Sequence, residues 1–283
     1  MTYFSSRGIL SANHDKSLTC SHALHPCLAR ASLRGKTQIF IMHDLTQRQV
    51  EILKALIEEY IETAEPVGSE TLEKKYSLSA SPATIRNEMV SLTKLGYLKK
   101  NHTSAGRMPT PAGMKFYVKQ LMKEKDLSVT EETAVKESLW DYREKEDKFL
   151  RELTKSLANK TKALAIATTT DGDIYCAGYA NILDMPEFFD IDVTRSLLST
   201  IDEFESCRKF FADIVSDDVQ VLLGDELGPN LQGPYGFVFT HYKTPMQLTG
   251  EIGVLGPSRL NYTQIVPTVR YFGDLIEEIA KGW

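Results

Sequence analysis

The sequence lacks the features of a membrane protein and of a disulfide-stabilised secreted protein. It has no apolar run of the roughly 18 residues that a membrane-spanning helix needs. Only four cysteines occur among 283 residues, and their positions suggest no set of disulfide pairs. This use of cysteine favours a protein of the reducing cytoplasm.

Motifs of the common enzyme classes are also missing. We find no G-x-S-x-G nucleophile elbow, no H-E-x-x-H metal-binding helix, no P-loop and no G-x-G-x-x-G turn. The one histidine of the C-terminal half is His241, in a strand-like run where histidine is more often structural than catalytic. Acidic pairs such as Asp171 and Asp173 lie in turn-like contexts, which suit solvated carboxylates. The sequence therefore predicts a protein that is not an enzyme and needs no cofactor or metal.

Positive charge is scarce overall but concentrated in one segment. The net charge of the chain is −5, which by itself does not suggest a nucleic-acid-binding protein. Residues 81–123, however, carry eight Lys or Arg residues against the single acid Glu88, whereas residues 124–283 sum to a charge of −12. A polyanion would be attracted by the first segment and repelled by the second, which would keep binding to non-specific DNA weak.

Residues 81–96 have the pattern of a DNA-recognition helix. Ser81 is a favourable N-cap, Pro82 a favourable first helical residue, and Gly96 suits the C-terminal end. Spacings of three and four predict a buried stripe that consists of Ile85, Met89, Leu92 and Leu95. The other face carries short polar side chains and cations, which suit base edges and phosphates. The predicted DNA contacts on this helix are Ser81, Ala83, Thr84, Arg86, Asn87, Ser91 and Lys94.

The flanking segments complete a winged helix-turn-helix. A first helix is predicted near residues 45–64 and a second at 70–76, before the recognition helix. A basic wing follows, with strands at 97–100 and 107–109 and a turn at 101–106. The predicted DNA contacts of the wing are Lys99, Lys100, His102 and Arg107. Arg107 is predicted at the wing tip, where it would suit a phosphate or a narrow minor groove.

Residues 1–41 differ from the rest, with few acids and no sustained periodicity. We interpret them as a non-native or disordered extension that precedes a native start at Met42. Two alternatives stay open. The acid-poor composition also resembles an organellar transit peptide, and four side chains form a possible zinc-binding cluster, namely Cys20, His22, His25 and Cys27.

Residues 124–160 predict a charged helix with one narrow apolar seam. The seam consists of Val135, Leu139, Tyr142, Phe149 and Leu153. The seam follows a heptad-like spacing only weakly, so the segment fits both a plain connector and a dimerisation helix.

Residues 161–283 predict an α+β domain. Strands are expected at 163–169, 174–179, 219–223, 236–242 and 247–254, with helices within 193–215 and from 262 to 279. Asp171 and Gly172, between the first two strands, favour a two-residue type I′ hairpin. The fold class is thus α+β, with a winged helix-turn-helix at 42–123, a helical connector at 124–160 and an α+β domain at 161–283. A long loop near 224–236 would suit a lid over a pocket, which leaves a small-molecule-sensing regulator as an alternative.

Several of these segments closely resemble the HrcA family of bacterial heat-inducible transcription repressors. The matching runs are EPVGS at 65–69, SPATIRN at 81–87, HTSAGRMPT at 102–110, GYANILDMPEF at 178–188 and IGVLGPSRLNY at 252–262. The resemblance implies a homodimeric repressor of heat-shock (chaperone) operons on a double-stranded, inverted-repeat operator called CIRCE. It also implies a GAF-like C-terminal domain, a GroEL-type chaperonin as partner, and a location at the nucleoid in the bacterial cytoplasm.

The chain departs from this family in one place. Members of the family carry an inserted dimerising domain between the first two strands of the GAF-like domain. Here residues 168–173 join those strands directly. The departure leaves open which surface would form a dimer, and the seam at 135–153 is the favoured candidate, ahead of the exposed parts of the GAF-like sheet.

Overall fold

The winged helix-turn-helix is formed by residues 45–121. Its elements are α1 (Gln47–Thr63), α2 (Ser69–Lys75), α3 (Pro82–Lys94), β1 (Leu98–Lys100), β2 (Arg107–Pro109), α4 (Pro111–Phe116) and a π-helical segment (Tyr117–Leu121). Helix α1 begins at a capping box, in which Thr46 Oγ1 accepts from the Gln49 N–H and Gln49 Oε1 accepts from the Thr46 N–H. The strands β1 and β2 pair antiparallel as the predicted wing.

The computed structural model describes residues 45–100, 106–202, 218–228, 233–245 and 249–282. The hypotheses about residues 1–41, including the zinc ligands Cys20, His22, His25 and Cys27, concern residues outside these ranges, as does the prediction for His102. Within the ranges, no helix is long and apolar enough to cross a membrane, and no cluster of metal-binding side chains occurs.

A five-stranded antiparallel sheet with helices on both faces follows the winged helix. Its strands are β3 (Leu164–Thr168), β4 (Ile174–Ala177), β5 (Gln220–Leu223), β6 (Tyr235–Lys243) and β7 (Thr249–Pro257). They lie in the order β4-β3-β7-β6-β5. The helices are α5 (Val129–Leu139), α6 (Glu146–Thr161), α7 (Tyr179–Leu183), α8 (Ile191–Asp202) and α9 (Tyr262–Ile279). The predicted α+β class is confirmed.

Side-chain alternation along the strands separates two apolar layers. In β3, Ala165 and Ala167 point to the face covered by α6 and α9, whereas Leu164 and Ile166 point to the face covered by α7 and α8. This follows from the two-residue period of a strand. The small alanines let the two long helices lie close to the sheet, and the larger side chains fill the space beneath the two shorter helices.

The segment predicted as a connector or dimerisation helix is neither continuous nor exposed along its seam. A 3₁₀ turn, Trp140–Tyr142, separates α5 from α6. Four of the five seam residues are at most 7% exposed, namely Val135, Leu139, Phe149 and Leu153. The dimer-seam hypothesis is therefore wrong. The spacing correctly marked an apolar stripe, but α9 and the sheet of the same chain cover that stripe.

The hairpin between β3 and β4 is short, as predicted, but its loop comprises residues 170–172 rather than two residues. The Thr169 N–H donates to the Asp173 carbonyl at 3.0 Å. A type I′ turn needs positive φ at two adjacent central residues. Here Gly172 has a φ of 100° while Asp171 keeps a negative one, so the glycine alone takes the left-handed conformation that it tolerates without strain.

Candidate nucleic-acid interface

Ser81 and Thr84 fix the start of the recognition helix α3. The Ser81 hydroxyl oxygen accepts a hydrogen bond from the Thr84 N–H at 3.3 Å, and the two hydroxyl oxygens lie 3.0 Å apart. A serine N-cap of this kind contributes about 1 kcal/mol to helix stability. Both residues were predicted as DNA contacts, and the structure gives them a capping role in addition.

Helix α3 buries one side and exposes the other. Ile85 and Leu92 are fully buried and Met89 is 4% exposed, which confirms the predicted stripe except at Leu95, which is half-buried. The predicted DNA contacts that are exposed on the opposite side are Ala83, Arg86, Asn87 and Lys94. The middle of this outer face is occupied by Val90, which is 37% exposed. Val90 was not among the predicted DNA contacts, although the smaller apolar residue Ala83 of the same face was.

Ser91 and Glu88 lie on the flank of α3 that faces α1. Gln49 of α1 donates through Nε2 to Glu88 Oε2 at 3.0 Å and to Ser91 Oγ at 3.3 Å. Ser91 is half-buried there, so its geometry favours positioning the helix over touching a base. The same contact turns the only acid of α3 toward α1. The exposed row of α3 therefore presents no carboxylate to an approaching phosphate.

The wing presents two exposed cations, Lys99 and Lys100, on β1. Arg107 pairs with Lys100 across the wing and exchanges two backbone hydrogen bonds of 2.9 Å with Val67 on its other edge. Its side chain is half-buried, and Nη1 donates to the Gly106 carbonyl. The prediction that Arg107 lies at the wing tip is wrong, because Arg107 pairs on both edges as the first residue of β2.

Thr110 joins the end of the recognition helix to the wing and to α4. Its hydroxyl donates toward Gly96 O at 2.6 Å and Tyr97 O at 3.1 Å, and accepts from the Gly113 N–H at 3.1 Å. A Cβ at Gly113 would lie 2.2 Å from the Tyr97 carbonyl oxygen, so only glycine allows this approach. These contacts fix the angle between α3 and the wing.

A buried carboxylate ties α2 to α1. Glu59 is 3% exposed and accepts from Lys75 Nζ at 2.9 and 3.0 Å and from the Tyr76 hydroxyl at 3.3 Å. Burial, together with the Glu59 charge, raises the pKa of Tyr76 to about 12. The hydrogen bond to Glu59 also raises the pKa of Lys75. The packing of α2 on α1 is thus stabilised by a polar network as well as by apolar contacts.

The winged helix is attached to the sheet domain through Arg259, which follows β7. Its guanidinium forms a bidentate pair with Glu187, with Nη2 to Oε2 at 3.0 Å, and donates from Nη1 to the Ile61 carbonyl of α1 at 3.3 Å. Lys115 of α4 pairs with Glu226, beyond β5. These contacts place α1 and α4 directly on the sheet domain.

Two family models match the chain. The winged helix-turn-helix transcription repressor model, HrcA DNA-binding, matches residues 44–121. The model of the HrcA protein C terminal domain matches residues 111–266. The second match includes the sheet and the start of α9.

Curated relatives agree with these matches. The chain is 28% identical to the heat-inducible transcription repressor HrcA of Carboxydothermus hydrogenoformans, over 335 positions that cover 83% of this chain and 98% of the relative. It is 25% identical to the repressor of the same name from Syntrophobacter fumaroxidans, with 85% and 99% covered. Since 83% of 283 residues is about 235, about 100 of the 335 aligned positions lie opposite gaps in this chain.

A crystal structure of a hypothetical protein at 2.2 Å resolution has the same fold, with a TM-score of 0.66 at 18% identity. That comparison covers 84% of this chain and 98% of the other. The shared fold supports what the sequence matches show. Because the C-terminal family model alone spans more than half of the residues, the chain belongs to the HrcA family of heat-inducible transcription repressors, which bind DNA through a winged helix.

Proposed function

We propose that this chain represses chaperone operons by binding a CIRCE-type inverted-repeat operator as a homodimer. The observation that carries the proposal is the exposed row of α3, which consists of Ala83, Arg86, Asn87, Val90 and Lys94. This row is cationic and contains no carboxylate, since Glu88 is hydrogen-bonded to Gln49 on the side that faces α1. Such a row can enter a major groove and reach base edges. The chain acts by binding and catalyses no reaction.

The exposed positions suggest distinct roles for the predicted contacts. Ala83, Arg86 and Asn87 lie toward the N-terminal turns of α3, where recognition helices contact bases. Lys94, Lys99, Lys100 and the wing residues His102 and Arg107 suit phosphates. Ser81, Thr84 and Ser91 act mainly by holding α3 in place, through the cap and the contact with Gln49.

A binding titration of the full chain tests the operator. Fluorescence anisotropy would compare three labelled duplexes at about 0.15 M salt: an intact CIRCE inverted repeat, one isolated half-site, and a scrambled sequence of equal length. We expect the inverted repeat to bind about 1,000-fold more tightly than the scrambled duplex, with the half-site between them. Equal affinity for all three would contradict a sequence-specific repressor.

The homodimer is proposed because one winged helix covers only one half of an inverted repeat. The seam at 135–153 is occupied within the chain, and about 100 positions of the curated relatives have no counterpart here. A different surface carries exposed apolar side chains within a short segment: Leu183 is 59%, Phe189 71% and Ile191 64% exposed. We propose that a second copy of the chain covers this surface, at the end of α7 and the start of α8.

A GroEL-type chaperonin is proposed as a modulating partner, and membership of the HrcA family supports it. Adding purified chaperonin to the full chain should raise the fraction of molecules that can bind the operator. This fraction would be measured by titrating the protein against a known, saturating concentration of operator DNA. An unchanged DNA-binding fraction would contradict a role for the chaperonin.

We place the repressor on the nucleoid in the bacterial cytoplasm, which microscopy of a fluorescently tagged chain would check.

A regulator that senses a small molecule is the second candidate, and one cavity favours it. A cavity of about 690 Å³ lies where α1, the linker before α5 and the corner between β7 and α9 meet. Side chains of both charges line it, among them Lys125, Arg259 and Glu131, together with apolar side chains such as Leu127 and Ile265. Its position differs from the pocket expected under residues 224–236. Thermal shift of the full chain against a metabolite library would identify a ligand.

A further inference from the structure

We infer that Val90 recognises the 5-methyl group of a thymine in each operator half-site. The inference rests on the proposed operator binding by α3. It adds Val90 as a specificity-determining residue to a row in which Ala83, Arg86 and Asn87 were already expected to contact bases.

Val90 lies in line with Ala83 along the outer face of α3. Ala83 and Val90 are seven residues apart, so they lie two helical turns apart at nearly the same angle around α3. The rise of 1.5 Å per residue separates them by about 10 Å along the axis, or about three base pairs of 3.4 Å. Asn87 lies between them on the same exposed face. The outer row thus places a polar side chain between two apolar ones.

Val90 is more exposed than the core residues of α3. At 37% exposed, it differs from Ile85 and Leu92 of the same helix, which are fully buried. Valine is a weaker helix former than alanine, so the stability of α3 does not explain its presence at this position. Its χ1 angle is strongly restricted in a helix, and its two methyl groups therefore project in a fixed direction without a further entropic cost on binding.

The major groove of DNA offers an apolar side chain one apolar partner. Thymine is the one standard base that presents a methyl group there, and apolar side chains discriminate it by contact with that group. Glu88, the nearest acid on α3, is held by Gln49 on the α1 flank, so no carboxylate competes for the space in front of Val90. A helix inserted with its outer row toward the bases brings the Val90 methyl groups against the base edges.

The test removes the methyl group from the DNA and the side chain from the protein in turn. The full chain first selects duplexes from a random library, and each thymine of a selected half-site is then replaced by deoxyuridine, which lacks only the methyl group. We expect one replacement to weaken binding by about three- to tenfold, the effect of burying about one methyl group. Val90→Ala should weaken binding to the thymine duplex similarly and show no further loss with uracil at that position.

Two variants make this result specific. Val129→Ala is the matched control, since Val129 is an exposed helical valine outside the winged helix, at 79% exposure, and this variant should keep the full sensitivity to uracil. Val90→Thr retains the branched shape and one methyl group, and should keep part of the sensitivity. Circular dichroism and binding to scrambled DNA would verify that each variant is folded.

The outcomes separate the inference from the proposed function. If Val90→Ala keeps the wild-type sensitivity to uracil at every position, another residue reads the methyl group and the inference is overturned. If uracil has no effect anywhere although a specific duplex was selected, the inference is overturned while operator binding stands. If no duplex is enriched at all, the proposed function fails and the inference fails with it.

Discussion

The winged helix and the sheet domain use polar side chains in different ways. In the winged helix, two polar contacts connect the helices around an apolar core: Glu59 of α1 is buried against Lys75 of α2, and Gln49 connects α1 to α3. In the sheet domain, apolar layers fill both faces, and ion pairs such as that of Arg259 with Glu187 lie at the joint to the winged helix. We expect stability to be decided in the sheet domain and DNA recognition in the winged helix.

The largest expected effect is a loss of stability from a cavity beside the sheet. Phe149→Ala removes a fully buried ring of α6 and should lower the free energy of unfolding by about 3–5 kcal/mol. Denaturant titration would measure it at several protein concentrations. The matched control is Tyr142→Ala, since Tyr142 belongs to the same predicted seam but is 37% exposed. A loss that appears only at concentrations where the chain dimerises would show that Phe149 faces a partner.

The second effect concerns dimerisation. It would distinguish the role of the sheet domain in dimerisation from the role of the winged helix in DNA contact. Leu183→Glu combined with Phe189→Glu places charges on the proposed dimer surface, far along the chain from α3. We expect monomers in light scattering, an unchanged circular-dichroism spectrum, and a loss of affinity for the inverted repeat of about 100-fold or more, because linked binding to two half-sites is lost. Affinity for one half-site should stay the same. A double variant that dimerises like the wild type would exclude this surface.

The third effect is confined to DNA binding. Arg86→Ala or Asn87→Ala should weaken operator binding by about 1–3 kcal/mol and relax sequence preference, because both side chains lie on the exposed face of α3. Lys100→Ala on the wing should weaken binding to all DNA alike. It should also reduce the slope of the logarithm of the binding constant against the logarithm of the salt concentration by about one unit. None of these variants should change the free energy of unfolding by more than about 0.5 kcal/mol. Equal loss on operator and scrambled DNA for Asn87→Ala would reject base reading by Asn87.

The sequence predicted the winged helix well because its signals are local. The N-cap at Ser81, the proline at 82 and the stripe through Ile85 lie within a few residues of one another, and each acts on its own helix. The exposed row of α3 followed from the same pattern. Even there, Val90 was left out of the predicted contacts, although it is exposed on the same side of α3.

What the sequence could not show depends on contacts between distant residues. The apolar stripe of 135–153 was recognised, but not that α9, more than 100 residues later, covers it. Gln49 and Ser91 are 42 residues apart, so nothing local indicates that Ser91 faces α1. Arg259 reaches Ile61 across 198 residues. Periodicity identifies which side of a helix is apolar, whereas the identity of the covering element depends on tertiary packing.

The smallest expected effect is the pH dependence of one exposed ion pair near the joint between the domains. Glu131, in the first turn of α5, accepts from Lys160 at the end of α6 and from the Ser128 N–H and hydroxyl. These contacts, that with Lys160 first, lower the pKa of Glu131 from 4.5 to about 2. Because the pKa is lower in the folded state, the stabilisation is present above pH 4.5 and is lost as the pH falls toward 2.

Glu131→Gln should therefore be less stable than the wild type near neutral pH, by a small amount for so exposed a pair, and the difference should shrink below pH 4.5. Denaturant titrations of both proteins between pH 7 and 3 would measure it, with Glu144→Gln as control, since Glu144 is 82% exposed and its closest cation lies 3.8 Å away. A difference that is constant over this range would mean that Glu131 contributes through its cap geometry alone. A difference in the free energy of unfolding as large as that of Phe149→Ala would contradict the expectation that apolar layers rather than surface charges stabilise the sheet domain.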